Sequence, residues 1–153
     1  MLLSRHEERL ERMAARLHRA DAPRSDLFAE LIAQACTRIA STAPAAKARL
    51  DQLIESAAWT DAALTLLELE LPTWTLRRLV REDGEWFCSL SQRPWLPLGL
   101  DEIAVASHES LPLAILLALL QARSPASGNA PSPTSVPHAR SLSGYEVCCD
   151  NFR

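Results

Sequence analysis

Residues 74–91 have the sequence Trp74-Thr-Leu-Arg-Arg-Leu-Val-Arg-Glu-Asp-Gly-Glu-Trp-Phe-Cys-Ser-Leu-Ser91. Two strand-forming runs flank the turn Glu82-Asp83-Gly84, and an Asp-Gly pair between apolar runs is a strong short-range signal for a hairpin. The sequence therefore predicts a β-hairpin over residues 73–91.

Two registers fit this hairpin. A two-residue loop at Asp83-Gly84 would place Arg81 opposite Trp86 and Arg77 opposite Leu90. The two-residue loop stays open as the alternative.

A three-residue loop with Gly84 in the left-handed conformation would pair Arg81 with Glu85 and Leu76 with Leu90. We favour this register because it sets opposite charges side by side at the turn. It leaves Leu79 and Phe87 on the reverse face. It also collects most apolar side chains on one face, as strand alternation requires: Trp74, Leu76, Val80, Trp86, Cys88 and Leu90.

The residues before the hairpin predict four helices. The chain has only four glycines and is rich in Ala, Leu and Arg, which favours helix. Apolar spacing and helix-start signals place the helices at about 4–19, 25–39, 44–57 and 61–70, with caps at Ser4, Ser25 and Thr60. In the first helix Leu3, Leu10 and Leu17 form a narrow apolar stripe, which either docks on its own domain or forms a short dimerising coiled coil.

The residues after the hairpin predict a linker and two helices. Residues 94–98 hold two prolines and form the linker, after which Asp101 caps a fifth helix through Ile103, Val105 and Ala106. A sixth helix covers 111–122, with Ser110 as its cap and Pro112 in its first turn. Its apolar run spans 12 residues, whereas a membrane span needs about 20, so we expect a buried helix.

Composition completes the predicted organisation. Residues 124–153 are rich in Pro and Ser and poor in large apolar side chains, which predicts a disordered tail. The fold class is therefore α+β and mostly helical, with about six helices and one β-hairpin in a single domain over 1–123. The charged N-terminus is not typical of a secretory signal, so we expect a cytoplasmic protein with no membrane association.

The sequence indicates no catalytic residue, no cofactor and no metal ligand. His108-Glu109 resembles half of a zinc-protease motif, but Pro112 stands where the second His is required. Cys148 and Cys149 could bind a soft metal or form a redox pair, or they are ordinary exposed thiols. A small enzyme of unknown reaction is an alternative that would need His108 and several acids to line a pocket.

A winged-helix DNA-binding regulator is another alternative. The order of helices followed by a hairpin suits that fold, and the hairpin carries Arg77, Arg78 and Arg81. The helix over 61–70 that would enter the major groove, however, holds three acids and no Lys or Arg. Phosphate contacts and base readout both depend on basic side chains, and the net charge is −3. Nucleic-acid binding is therefore disfavoured.

The function that we expect is a small non-catalytic protein-interaction or regulatory protein. A lone hairpin leaves free strand edges, and aromatic and Arg side chains commonly anchor interfaces. The candidate interaction surface consists of Arg77, Leu79, Arg81, Phe87 and Trp95. The partner would be a second copy of the chain, giving a homodimer, or another protein. In the competing interpretation, Leu79 and Phe87 simply contact the last helix.

The hairpin sequence 74–91, together with His108-Glu109 and Leu111-Pro-Leu-Ala-Ile-Leu, resembles a class of short proteins of unassigned function from high-GC proteobacteria. The resemblance covers about residues 64–120. It implies a bacterial, cytosolic origin, which the Ala, Arg and Leu bias also suits. It implies no activity, cofactor or site residue.

Overall fold

The structure is a computed structural model that describes residues 2–97, 100–101 and 103–124. These residues form an α+β fold that is mostly helical, as predicted. The predicted disordered tail, apart from Ser124, lies outside the described residues, and so do Cys148 and Cys149. The described elements, in chain order, are α1 (Leu2–Arg19), α2 (Ser25–Ala35), a 3₁₀ turn (Ile39–Ser41), α3 (Pro44–Glu55), α4 (Trp59–Glu70), β1 (Thr75–Glu82), β2 (Glu85–Ser91), β3 (Ile103–His108) and α5 (Leu111–Arg123).

The apolar stripe of α1 packs within the domain. Leu10, Met13 and Leu17 are all buried, and α1 contacts α2 and α5. The helix begins at Leu2, so Ser4 lies inside its first turn rather than at its cap. The stripe at these three positions is therefore part of the core, as the docked interpretation of this helix expected.

The turns between α2, α3 and α4 follow from local backbone signals. Helix α2 ends at Ala35, earlier than predicted, because Cys36 adopts an extended conformation. Helix α3 begins at Pro44, whose fixed φ and missing N–H suit a first turn. It ends before Ala57, which has a φ of 57° and so cannot continue a right-handed helix. Trp59 then opens α4 and stacks on Phe28, with ring centroids 5.7 Å apart.

The hairpin is present, but the favoured three-residue loop is wrong. Arg81 lies opposite Trp86 rather than Glu85. Asp83 and Gly84 alone form the loop, with φ angles of 51° and 89°. Positive φ at both loop residues is the requirement of a type I′ turn, whose twist matches that of the flanking strands. This match outweighs the expected charge pairing of Arg81 with Glu85.

Far from the turn, the favoured pairing of Leu76 with Leu90 is correct. The pairing near the turn and the pairing at Leu76 belong to different registers, and the change occurs between Leu76 and Arg78. Arg77 is therefore an extra residue in β1 that has no partner in β2, which is the definition of a β-bulge.

The two-residue turn decides which side chains of β1 face the helices. Leu79 lies opposite Cys88, which is fully buried, and itself packs on the core. Val80 lies opposite Phe87 on the other face of the sheet. The prediction that Val80 faces the core and Leu79 the reverse side is therefore wrong, because the register is set by the two-residue turn.

The predicted fifth helix is instead the strand β3. It pairs antiparallel with β2 and gives a sheet with the order β1-β2-β3. Ala104 is fully buried and Ala106 packs on the core, where β3 lies against α5. Small side chains on this face permit the close approach of α5. They also explain the wrong prediction, since alanine favours helix when no neighbour is considered.

Helix α5 is the centre of the domain. It begins at Leu111 with Ser110 at the N-cap position and Pro112 in its first turn, as predicted. All nine residues from 112 to 120 are buried, because α1 and α4 pack on the helix from one layer and β2 and β3 from the other. Among the described residues, no helix is long and apolar enough to cross a membrane.

A buried carboxylate ties the helix ends together. The side chain of Glu70, at the end of α4, is inaccessible to solvent and forms an ion pair with Arg123 at the end of α5. It accepts hydrogen bonds from the backbone N–H of Ile39 at 2.7 Å and of Arg38 at 3.3 Å. Arg123 also donates from Nη2 to Thr37 Oγ1 at 2.9 Å. The network fixes the turn after α2 against both helices.

Candidate functional site

The sheet has a face that no described helix covers, which we call the outer face. Helix α5 packs on one side of β2 and β3, and alternate side chains of the strands point the other way. Val105 is 56% exposed there. Phe87, Val80 and Ile103 are half-buried. These four apolar side chains line a groove of about 450 Å³, together with Arg77, Arg78, Glu82 and Ser89.

The rim of this groove carries both signs of charge. Arg78 Nη2 lies 2.8 Å from Glu82 Oε1 along β1, and both side chains are more than half exposed. Such an exposed pair contributes little to stability, at most about 1 kcal/mol. The pair therefore offers an acid and a base to a bound molecule at a small energetic cost. An apolar centre with a polar, charged rim is the usual anatomy of a protein–protein interface.

The structure brings together only part of the predicted interaction surface. Arg77 and Phe87 line the groove of the outer face. Leu79 packs on the core instead, and the Arg81 guanidinium lies over the ring of Trp86, 6.0 Å from its centroid. Trp95 is 76% exposed and does not line the groove.

The outer face includes three residues that are absent from the predicted interaction surface, namely Val80, Ile103 and Val105. The favoured three-residue loop predicts Val80 on the opposite face, because it shifts the register near the turn by one residue. Ile103 and Val105 fall in the predicted fifth helix. Their spacing of two residues, with β-branched side chains at both positions, is typical of a strand and was the signal that could have found them.

The loop that carries Trp95 is held by Asp101. This carboxylate, which was expected to cap a helix, instead accepts hydrogen bonds from the Arg93 backbone N–H at 2.7 Å and from the Ser91 hydroxyl. Arg77 Nη1 lies 3.2 Å from its Oδ2. The side chain of Asp101 has no solvent-accessible surface. The loop is therefore closed onto the end of β2 and onto the bulge of β1.

The same contacts set the acidity of Asp101. Burial acts to raise the pKa of this carboxyl group, but the hydrogen bonds from Ser91 and from the Arg93 backbone stabilise the charged form. The positive charges of Arg77 and Arg93 act in the same direction. The net result is a pKa below the usual value of 3.8. Asp101 is thus held as a carboxylate, in a structural role rather than as an acid or base.

A second, polar cleft of about 310 Å³ lies at the far end of β3. His18 and His108 line it, together with Asp21, Glu85 and Glu109. His108 Nδ1 accepts a hydrogen bond of 2.9 Å from the Ser110 backbone N–H. The three carboxylate residues are exposed. Within the part of the chain that the structure describes, no group of three or more His, Cys, Asp and Glu side chains is arranged to hold a metal ion.

The two described cysteines are poor nucleophiles. Burial raises the pKa of the Cys36 thiol to about 12, and the nearby charge of Glu70 adds to this rise. Burial raises the pKa of the Cys88 thiol to about 11. Since the thiolate is the reactive form, both side chains serve as small apolar residues of the core, and neither lines the outer face or the polar cleft.

No family model, curated protein or solved structure matches this chain. Its own residues therefore carry the functional inference.

Proposed function

We propose that this chain is a non-catalytic protein-interaction or regulatory protein that binds a protein partner through the outer face of its sheet. The observation that carries the proposal is the groove lined by Val80, Phe87, Ile103 and Val105, which leaves apolar side chains open to solvent between charged residues. Sheets commonly bury such a face by packing against another sheet about 10 Å away.

A second copy of the chain is the partner that the rim favours. A two-fold interface brings the same patch of both molecules together, so the patch must complement itself. Arg78 and Glu82 place a base and an acid four residues apart on β1. Under a two-fold axis, Arg78 of each copy can approach Glu82 of the other while the apolar centres pack.

A DNA-binding regulator has less support. Two of the three arginines on β1 are engaged by acids, since Arg77 pairs with Asp101 and Arg78 with Glu82. Helix α4, which would have to enter the major groove, has no Lys or Arg. These features favour a protein partner over a polyanion.

A small enzyme has one supporting observation, the polar cleft with His18 and His108 on its walls. A general acid or base is usually tuned by burial or by a close charged neighbour. The acids of this cleft, Asp21, Glu85 and Glu109, are exposed instead. The cleft therefore ranks below the outer face.

Substitution of Val80 tests the proposal without touching the core, because its side chain lies on the outer face. The matched control is Leu100→Asp, which adds the same charge at a side chain that is 70% exposed and does not line the groove. Sedimentation velocity over a concentration series should show self-association of the wild type and of Leu100→Asp, and its loss in Val80→Asp. Circular dichroism verifies that all three proteins are folded.

A photo-reactive amino acid at position 80 provides the second measurement, with position 100 as its control. In the native cell we expect a discrete crosslinked product only from position 80. A wild type that stays monomeric and gives no crosslink at position 80 would overturn the proposal. Crosslinking at 80 to a different protein, without self-association, would retain the interaction role and reject the second copy as its partner.

A further inference from the structure

The two edges of the sheet differ in how they are protected. β1 carries Arg77, Arg78 and Arg81 and contains the bulge, and charged side chains and bulges are the usual devices that keep an edge strand from pairing. β3 reads Ile-Ala-Val-Ala-Ser-His, without a charged carboxylate, Lys, Arg or Pro. It pairs with β2 without a register shift. Among the described strands, none pairs with its other edge.

A groove of about 330 Å³ lies beside this open edge. One wall is formed by Val105, Ala106 and Ser107 of β3, and the opposite wall by Leu10, Glu11, Ala14 and His18 of α1, with residues of α5 between them. Because α1 packs on α5 and both helices line the groove together with β3, the groove lies between the helical layer and the edge of the sheet. A fourth strand beside β3 would lie over α1 and fill this groove.

The last described residue of the chain lies at the groove itself. Ser124, the last residue that the structure describes, forms part of its wall. Residues 125–153 follow, 20 of them before Tyr145. Twenty residues can span at most about 70 Å, whereas the six residues of β3 extend over only about 20 Å. The segment that begins at Tyr145 can therefore reach any position along β3.

The sequence of residues 145–149, Tyr-Glu-Val-Cys-Cys, suits a strand with one covered face. Tyr145, Val147 and Cys149 alternate with Glu146 and Cys148, which is the pattern of apolar side chains on one side and polar or small ones on the other. Tyr and Val also favour extended backbone. We propose that residues 145–149 pair with the free edge of β3 in the same molecule, as a fourth strand that covers the groove between β3 and α1.

The tether and the shape of the groove both favour this occupant. A connection of 20 residues holds the segment at an effective concentration of the order of millimolar. Backbone pairing along a strand edge needs no deep pocket. A second copy that paired through its own β3 would bring its α1 to the same place. Two helices would then compete for the space beside one strand pair, whereas a single extended segment fits there.

This proposal does not depend on the outer face. Amide hydrogen exchange, measured by NMR on the full chain, tests the proposed pairing. The informative amides belong to every second residue of β3, because their N–H groups point away from β2 and toward the free edge. Val147→Pro removes a backbone donor in the middle of the segment, and Ala130→Pro is the matched control in the connecting region. We expect these β3 amides to exchange at least about tenfold faster in Val147→Pro than in the wild type and in the control.

Each other result counts against the proposal. Exchange of these amides that is already fast in the wild type would mean that the edge is open. Slow exchange that Val147→Pro leaves unchanged would mean that another segment covers the edge. Protection that rises with protein concentration would assign the strand to a neighbouring molecule rather than to the same one. Val80→Asp, which alters only the outer face, should leave the exchange of β3 unchanged.

Discussion

Arg123 donates a hydrogen bond from Nη1 to the carboxylate of Glu70, joining the last turn of α5 to the last turn of α4. The two residues lie 53 positions apart in the sequence. The Glu70 side chain has no solvent-accessible surface, and that of Arg123 is 14% exposed. The pair therefore closes the ends of two core helices over the turn at Ile39, whose N–H it also satisfies.

We expect Glu70→Ala to lower the free energy of unfolding by about 3–5 kcal/mol, because it leaves a largely buried arginine without its counter-charge and the buried N–H of Ile39 without an acceptor. Urea denaturation measures the change. Glu82→Ala is the control, since Glu82 forms an exposed ion pair and should cost at most about 1 kcal/mol. Equal losses for the two variants would show that the Glu70 contacts add nothing beyond a surface pair.

Asp101 should make stability depend on pH in the acid range. Its pKa in the folded protein lies below the unfolded value of 3.8, so the unfolded state binds a proton more readily than the folded state. The stabilisation is therefore complete above pH 3.8 and declines as the pH falls through the folded pKa. Asp101→Asn should be less stable than the wild type at neutral pH, and the difference should shrink on acidification. A difference that stays constant would assign the effect to shape rather than charge.

The type I′ turn should be sensitive at Gly84 for reasons of backbone conformation alone. A Cβ at this position would have no heavy atom within 4 Å, while φ is +89°. Gly84→Ala should therefore cost roughly 1 kcal/mol through strain rather than through a clash. Asp83→Asn is the control, since Asn accepts a positive φ, and should leave the thermal unfolding midpoint nearly unchanged. A neutral Gly84→Ala would indicate that the loop adopts another conformation in solution.

The buried thiols should resist alkylation in the native protein. A pKa of about 11 for Cys88 leaves on the order of one thiol in a thousand ionised at pH 8, and burial restricts access further. In a chain with Cys148→Ser and Cys149→Ser, iodoacetamide should modify neither Cys36 nor Cys88 until urea is added. Mass spectrometry follows the modification. Rapid labelling of Cys36 without denaturant would contradict the packing of the core around Glu70.

The helices and the hairpin could be predicted because their signals are local. Apolar spacing and Pro44 identify the helices before the sheet, and Asp83-Gly84 identifies the turn. β3 could not be predicted in this way, because Ala104 and Ala106 have no strand preference of their own. Their small side chains fit the close packing of β3 against α5, which is a contact distant in sequence. The prediction that Asp101 caps a helix is wrong for a similar reason. A carboxylate accepts hydrogen bonds from backbone N–H groups both at a helix N-terminus and in a loop, so the residue type does not distinguish the two.

The candidate surface was predicted less well than the fold. Of its five residues, Arg77 and Phe87 line the groove of the outer face. Leu79 lies on the opposite side because a one-residue change in strand register exchanges the two faces. No residue type at or near Arg77 indicates a bulge, so the sequence alone could not decide whether Leu79 or Val80 faces the core. The binding role of the surface remains a prediction.

Because of the bulge, β1 holds one residue more than its pairing with β2 requires. Residues on both sides of Arg77 pair with consecutive residues of β2, since Leu76 lies opposite Leu90 and Arg78 opposite Ser89. A chain from which Arg77 alone is deleted would thus form an uninterrupted ladder, with every other side chain on its present face. Such a deletion would remove the ion pair with Asp101 and one residue from the rim of the outer-face groove. Arg77 is in this sense an insertion that joins β1 to the loop, and its deletion would leave Asp101 with the hydrogen bonds from Ser91 and from the Arg93 backbone.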